Sequence, residues 1–146
     1  VLSIDTNLLL HAYSQDSPQH ETAYAWLVSI QRDDEVAISE FILAELYCLL
    51  RNPAVLKRPL RAAEAVGVIQ TYRSHPRWRL IGFPTESRAI HESLWKAARS
   101  DVVAFRRLYD VRSALSMLAQ GVTELATANV KDFDGLGFKR IWNPLA

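Results

Sequence analysis

Three carboxylates stand where an ordinary soluble core would not put them. Asp5 follows directly on the apolar run Val1–Ile4, Glu45 is the only charged residue within Phe41–Leu50, and Asp110 opens a late segment with one apolar face. Taken singly, Asp5 also fits an Asx turn or a helix N-cap, and Asp110 also fits a first-turn acid favoured by the helix dipole. Glu45 is harder to absorb as plain structure. It lies four residues after Phe41 and three after Ile42, on the side of a helix that the apolar residues occupy. A buried Glu is costly unless it is paired, protonated or metal-bound, and snorkelling at a helix edge is the other escape. If the three acids converge on one pocket, their repulsion raises their pKa values or calls for a counter-cation. Oxygen ligands select hard ions such as Mg2+ or Mn2+. Such an ion lowers the pKa of a bound water and offsets charge on a phosphate under in-line attack. The histidines His11, His20, His75 and His91 show no zinc spacing, and Cys48 is the single cysteine, so a zinc site is not indicated.

For the acids to meet, the intervening elements must fold them together. Val1–Ile4 reads as a short buried strand, Leu8–Tyr13 as the start of a helix, and Gln19–Arg32 as an amphipathic helix with Ala23, Trp26, Leu27 and Ile30 on its apolar stripe. Val36–Ile38 reads as a second strand, and Ser39 as the N-cap of an apolar helix reaching about Leu50. Asn52-Pro53 ends that helix, Pro59 marks the next start, and a helical pattern runs to about Ser74. Trp78, Leu80 and Ile81 make a third strand, Glu86–Ser100 a helix, and Asp101–Leu108 a looser connection. Asp110–Gln120 is helical and stops at Gly121. Thr123–Ala128 is strand-like, Asn129–Phe133 a short turn or helix, and Arg140–Trp142 a last strand. Strands alternating with helices make βαβ units, hence an α/β fold with a mostly parallel sheet covered on both faces. In such sheets the ligand site lies beyond the carboxyl ends of the strands where the topology reverses, and Asp5 and Asn129 fall at such ends.

The chain has 146 residues, 49% of them hydrophobic and 23% charged, which fits a single globular domain spanning residues 1–146 and excludes disordered and fibrous classes. A formal net charge of +1 hides a division: residues 1–50 carry −7, residues 51–79 carry +6 and residues 80–146 carry +2. The basic block reads as belonging to the helix after Glu45. One cysteine precludes an internal disulfide, and the apolar neighbours of Cys48 suggest a plain buried thiol and a cytoplasmic setting. The longest apolar stretch is too short to span a membrane and is interrupted by Glu45, and no signal peptide precedes the first strand.

Four motifs in order carry a family resemblance. Ile4-Asp5-Thr6-Asn7, Ala44-Glu45-Leu46, Tyr109-Asp110-Val111-Arg112-Ser113-Ala114 and Thr127-Ala128-Asn129-Val130-Lys131-Asp132-Phe133 resemble those of PIN domains, most of all the VapC toxins of toxin–antitoxin modules. The resemblance covers essentially the whole chain. It implies a PIN-like three-layer α/β/α sandwich and an Mg2+-dependent endoribonuclease, with Mn2+ as an alternative ion, that hydrolyses RNA. Asp5, Glu45 and Asp110 carry over as the catalytic and metal-binding residues. The fourth family position is often Asp; here it is Asn129, which brings a carbonyl oxygen but no charge, and Asp132 is the candidate that completes the metal set. Thr6, Asn7 and Thr127 carry over as hydrogen-bonding partners that orient the acids. Also implied are a cognate VapB-like antitoxin covering the pocket and a toxin homodimer.

An acidic centre repels RNA unless nearby cations hold its backbone, which makes Arg51, Lys57, Arg58, Arg61 and Arg112 the candidate RNA contacts. A solvated helix face is the plain reading of the same residues. Two competitors stand beside the nuclease. A receiver-like phospho-acceptor domain also places acids at strand ends, but of its acidic pair, later acceptor Asp and late Lys only Asp5 is matched. A non-catalytic PIN-like domain that binds RNA or a partner is left open by Asn129 and opposed by the retained acids.

Overall fold

Leu2–Ile4 (β1) is the centre of a parallel sheet, flanked by Val36–Ser39 (β2) on one side and Glu124–Ala126 (β4) on the other. Arg79–Ile81 (β3) pairs outside β2 and Arg140–Trp142 (β5) outside β4, so the order is β3-β2-β1-β4-β5 and every pairing is parallel. The computed structural model describes residues 1–103 and 105–146; Ala104, within the expected connection Asp101–Leu108, lies outside them. This strand order differs from the 2-1-3-4-5 order of receiver domains, which removes that competitor.

Short strands suffice because β1 and β2 are buried along their whole length, as parallel strands sheathed on both faces are. The helices are Thr6–Tyr13 (α1), His20–Ile30 (α2), Glu40–Leu50 (α3), Ala62–Arg73 (α4), Ser87–Ala98 (α5) and Leu108–Ala119 (α6). The crossovers β1→β2→β3 run one way and β3→β4 runs back, and right-handed crossovers then place α1–α4 on one face and α5 and α6 on the other. Packing agrees, since α1 lies against α2 and α3, α3 against α4, and α5 against α6. Ile4, Leu8, Leu9, Ile38, Leu43, Leu46, Leu50, Met117 and Leu125 are essentially inaccessible; each such side chain contributes about 1.5–3 kcal/mol when fully buried. Ser3, also buried, satisfies its hydroxyl on the Ala37 carbonyl at 2.7 Å.

Several expected boundaries move for identifiable reasons. α1 starts at Thr6 rather than Leu8 because Asp5 caps it, its Oδ1 accepting the Thr6 N–H at 2.8 Å. Ser39 caps α3 as expected, accepting the Phe41 N–H at 3.1 Å. α4 starts at Ala62, not Pro59: the Leu60 N–H is drawn back to the Leu50 carbonyl at 2.8 Å, and the Glu64 carboxylate accepts the Arg61 N–H at 3.1 Å. The basic block therefore does not sit on a helix. Arg51, Lys57 and Arg58 lie in the α3–α4 connection, Arg61 is the N-cap, Arg77 and Arg79 follow the helix, and only Arg73 is within it. Cys48 is exposed rather than buried. It lies two residues from both Leu46 and Leu50, which at about 100° per residue turns it away from the face they bury. Gly121 ends α6 as expected, at φ +92.

Candidate active site

The reversal of strand order falls between β1 and β4, and their carboxyl ends deliver Asp5 and the segment Thr127–Phe133 side by side. A cleft of about 120 Å³ opens there, lined by Asp5, Asn7, Leu10, Glu45, Leu49, Asp110, Asn129, Asp132 and Phe133. All five residues expected as metal ligands are in this lining. The three acids first singled out arrive from three elements: the end of β1, the middle of α3 and the first turn of α6.

Asp5 is 8% exposed and each of its oxygens is held. Oδ1 caps α1; Oδ2 accepts the Thr127 hydroxyl at 2.7 Å and the Asn7 side-chain amide at 3.3 Å. Asn7 in turn accepts the Ala128 N–H at 3.2 Å, and Thr127 Oγ1 accepts the Asn129 N–H at 3.0 Å, so the two strand ends are tied through the carboxylate. Burial pushes the Asp5 carboxyl above its ordinary pKa; the Thr127 and Thr6 hydrogen bonds pull back, and Asp110 and Asp132 push further up.

Glu45 departs from expectation in its setting. It is exposed as a residue, at the flank of α3 beside the buried stripe of Ile42, Leu43, Leu46 and Leu50, so the cost of deep burial does not arise. Its carboxylate still turns into the cleft, where Oε2 accepts the Thr6 hydroxyl at 3.0 Å. Its pKa is raised, first by local desolvation and then by Asp110 and Asp5, against the Thr6 hydrogen bond. Asp110 is half-buried, and its side chain has no hydrogen bond among the described residues. Desolvation raises its pKa, Arg107 lowers it and Asp132 raises it again. Thr6, Asn7 and Thr127 thus all contact the acids they were expected to orient.

Asp132 lines the same cleft but is engaged, its Oδ1 accepting Arg107 Nη1 at 2.8 Å and its backbone carbonyl accepting Arg107 Nη2. That contact was not foreseen. The basic residue three before Asp110 was a visible signal; its partner 25 residues on was not. Asn129 is exposed at the start of the 3-10 turn Val130–Phe133.

The donor set fits a hard divalent cation. Mutually repelling carboxylates share one small mouth, the pKa values of Asp5, Glu45 and Asp110 are raised, and among the described residues Arg107 is the one cation hydrogen-bonded there. Among the described residues no three His, Cys, Asp or Glu side chains form a group that could hold an ion on their own; a hard divalent ion bound here would keep waters among its ligands. Asp5 and Asp110 would hold it, with Glu45 beside them. Replacing Thr127 with Val removes one of the Asp5 hydrogen bonds at nearly constant volume. It is expected to weaken divalent-ion affinity roughly 10–100-fold and to cost about 1–3 kcal/mol of stability, read by calorimetric Mn2+ titration and thermal melts.

The expected RNA-contact residues divide. Lys57 and Arg58 line a groove of about 660 Å³ with Tyr13, Ser14, Gln15, Asp16 and Leu56. An adjoining hollow of about 330 Å³ shares Leu56 and Lys57 with that groove and Leu10 with the acidic cleft, so the three concavities lie side by side. Arg51 is turned onto Tyr47, bonding its hydroxyl at 3.1 Å, and Arg112 lies over the Tyr109 ring at 5.2 Å. Arg61 is exposed at the start of α4 and is not among the residues lining these concavities.

The comparisons with known proteins agree with this geometry. The PIN domain family model matches residues 2–139. Ribonuclease VapC24 of Mycobacterium tuberculosis is 44% identical over 145 residues, 99% of this chain and 97% of the relative. Among solved structures, M. tuberculosis VapC20, described as a Sarcin-Ricin loop cleaving toxin, superposes with TM-score 0.67 at 20% identity, covering 94% of this chain and 96% of its own. VapBC2 from Rickettsia felis, bound to a DNA fragment from its promoter, gives 0.68 at 18% identity over 97% of both chains. FitAcB from Neisseria gonorrhoeae gives 0.68 at 20% identity, covering 99% of this chain and 98% of that one. At those identities the structures speak for the fold, whereas the family model and the 44% identical relative fix the lineage: the chain belongs to the PIN domain family, in the branch of the VapC ribonucleases.

Proposed function

We propose that this chain, acting as one domain of 146 residues, is a Mg2+-dependent endoribonuclease, the toxin of a toxin–antitoxin pair. The observation that carries this reading is the cleft at the β1/β4 switch point, where Asp5, Glu45 and Asp110 meet and Thr6, Asn7 and Thr127 hold two of them in place. The name of VapC24 and the toxin–antitoxin complexes among the structural neighbours support it.

When bound, the metal supplies charge neutralisation at the phosphate and acidifies water. The protein's part is orientation and proton transfer. Asp5, at the end of β1, and Asp110, in the first turn of α6, would hold the ion. Thr6 holds one oxygen of Glu45 at 3.0 Å and leaves Oε1 to take a proton from the attacking water. The water oxygen adds to phosphorus, the P–O bond to the leaving sugar oxygen breaks, and a proton returns to that oxygen. The RNA backbone follows a path past Leu10 to Lys57 and Arg58.

Incubation of the protein with total cellular RNA, with and without Mg2+, followed by mapping of new termini, tests the activity. Discrete Mg2+-dependent cuts are expected; binding without cleavage would instead make this a non-catalytic PIN-like domain. Neutralising Lys57 and Arg58 together with Gln should lower the slope of log K against log salt by about 1.4, the value for two contacts to single-stranded RNA. An unchanged slope removes this groove from the RNA path.

A VapB-like antitoxin is the proposed protein partner, covering the acidic cleft. A second copy of the chain is the proposed partner of the α5–α6 edge, where Trp95, Val102 and Phe105 are 58%, 93% and 91% exposed. Isolated apolar side chains need no explanation, but Trp95 and Phe105 line one hollow of about 430 Å³. Light scattering after size exclusion distinguishes monomer from dimer. No helix among the described residues is long and apolar enough to cross a membrane.

A further inference from the structure

Arg107 grips Asp132 at two points, Nη1 on Oδ1 at 2.8 Å and Nη2 on the backbone carbonyl of the same residue. The side chains are 24% and 37% exposed, and Arg107 Nε is buried with no hydrogen-bond partner among the described residues. The guanidinium is therefore buried at Nε, while about a quarter of the side chain stays exposed. Planar two-point contacts of this kind hold a guanidinium in fixed geometry. The charges of the cleft bear on what else it accommodates. Asp5, Glu45, Asp110 and Asp132 bring four negative charges, Arg107 one positive and Asn129 none. One divalent ion leaves this set weakly negative. A second would reverse its sign and would need Asp132, whose Oδ1 Arg107 already takes.

Resting on the nuclease reading above, we propose that the Arg107–Asp132 pair stands in place of a second metal ion, so that the cleft binds one divalent cation through its Asp5–Glu45–Asp110 side. Arg107 is then a positioning residue: it occupies Oδ1 of Asp132, offsets that carboxylate's charge and leaves a permanent positive charge in the cleft that no chelator removes. Asn129 fits the same arrangement, since an uncharged side chain at the other family position demands no further cation.

The test is calorimetric titration of the metal-free protein with Mn2+ alone, without RNA. One equivalent is expected for the wild type. R107Q frees the Asp132 carboxylate and is expected to bind Mn2+ roughly tenfold more tightly, the scale of one unit charge acting across a wet cleft, or to take up a second equivalent. R107K keeps a positive charge at the position and should retain a single equivalent. The double variant R107Q/D132N restores the wild-type charge sum and should bind one equivalent with near-wild-type affinity, whereas a ligating Asp132 would make it lose more than tenfold. Melting curves of each variant establish that it is folded. Two equivalents in the wild type, unchanged affinity and stoichiometry in R107Q, or that loss in the double variant overturns the substitution of the ion pair for a metal and leaves the nuclease reading standing. No Mn2+ binding by the wild type overturns both.

Discussion

Asp110→Asn is expected to lower RNA cleavage by roughly 10³-fold or more while leaving the melting temperature within about 2 °C of wild type. The separation of the two effects follows from the geometry. The Asp110 carboxyl makes no hydrogen bond among the described residues and packs no core, yet it faces Asp5, Glu45 and Asp132 across the cleft. Its charge therefore repels its neighbours in the metal-free protein and becomes useful only toward a cation. Asn keeps the shape and removes that charge. Cleavage by a folded Asp110→Asn protein at near-wild-type rate would take Asp110 out of the catalytic set.

The second large effect is one of stability with opposite sign. Asp5→Asn should abolish cleavage and raise the melting temperature of the metal-free protein at pH 7 by roughly 2–5 °C, a gain typical of relieving a functional site of its strain. Asn caps a helix as well as Asp does, so the Thr6 N–H keeps its acceptor; the Asn Nδ2 that replaces Oδ2 donates to a rotated Thr127 hydroxyl, and only the 3.3 Å bond from the Asn7 amide is lost. What is lost is a carboxylate whose pKa the fold raises, chiefly by burial. The sign is fixed by proton counting. With the folded-state value above the unfolded one, near 3.9, the native protein binds more protons between them and stability falls as pH rises through that interval. Below it the cost is absent, and above the folded value it is fully present. Asp110 and Glu45, also raised, act in the same direction. Metal-free wild type should consequently melt higher at pH 5 than at pH 7, with a smaller difference in Asp5→Asn. Mn2+ at pH 7 should recover the loss in wild type, because a ligand of the native state alone stabilises it. A lower melting temperature for Asp5→Asn at pH 7 would show that the carboxylate serves the fold more than it strains it.

Why one substitution in this cleft barely moves stability and another raises it is a matter of depth: Asp5 is 8% exposed and Asp110 half-buried, so desolvation weighs more on Asp5. Asp5 both caps α1 and ties β1 to the end of β4 through Thr127 and Asn7, and it accepts desolvation in exchange. Asp110, delivered by the first turn of α6, has no such second employment.

Element order, the parallel α/β class and the identity of the acids were legible before any tertiary contact was known. Those features are written in local pattern: apolar runs too short to be helices, stripes at steps of three and four residues, Ser39 before Glu40, Gly121 after α6. The order of Asp5, Glu45, Asp110 and Thr127–Phe133 along the chain was enough to resemble one family. Only the tertiary structure decided what depends on the distance between residues remote in sequence. It placed β1 between β2 and β4 and so made the switch point. It moved the cationic residues off the helix that propensity favoured, because the Leu60 and Arg61 N–H groups found acceptors elsewhere. It turned Cys48 outward and set Glu45 at a flank, since helical phase is fixed by which face meets the sheet and not by the apolar count. It also bound Arg107 to Asp132 across 25 residues, a pairing that no local pattern encodes because the energy that selects it exists only once both side chains share the same cleft.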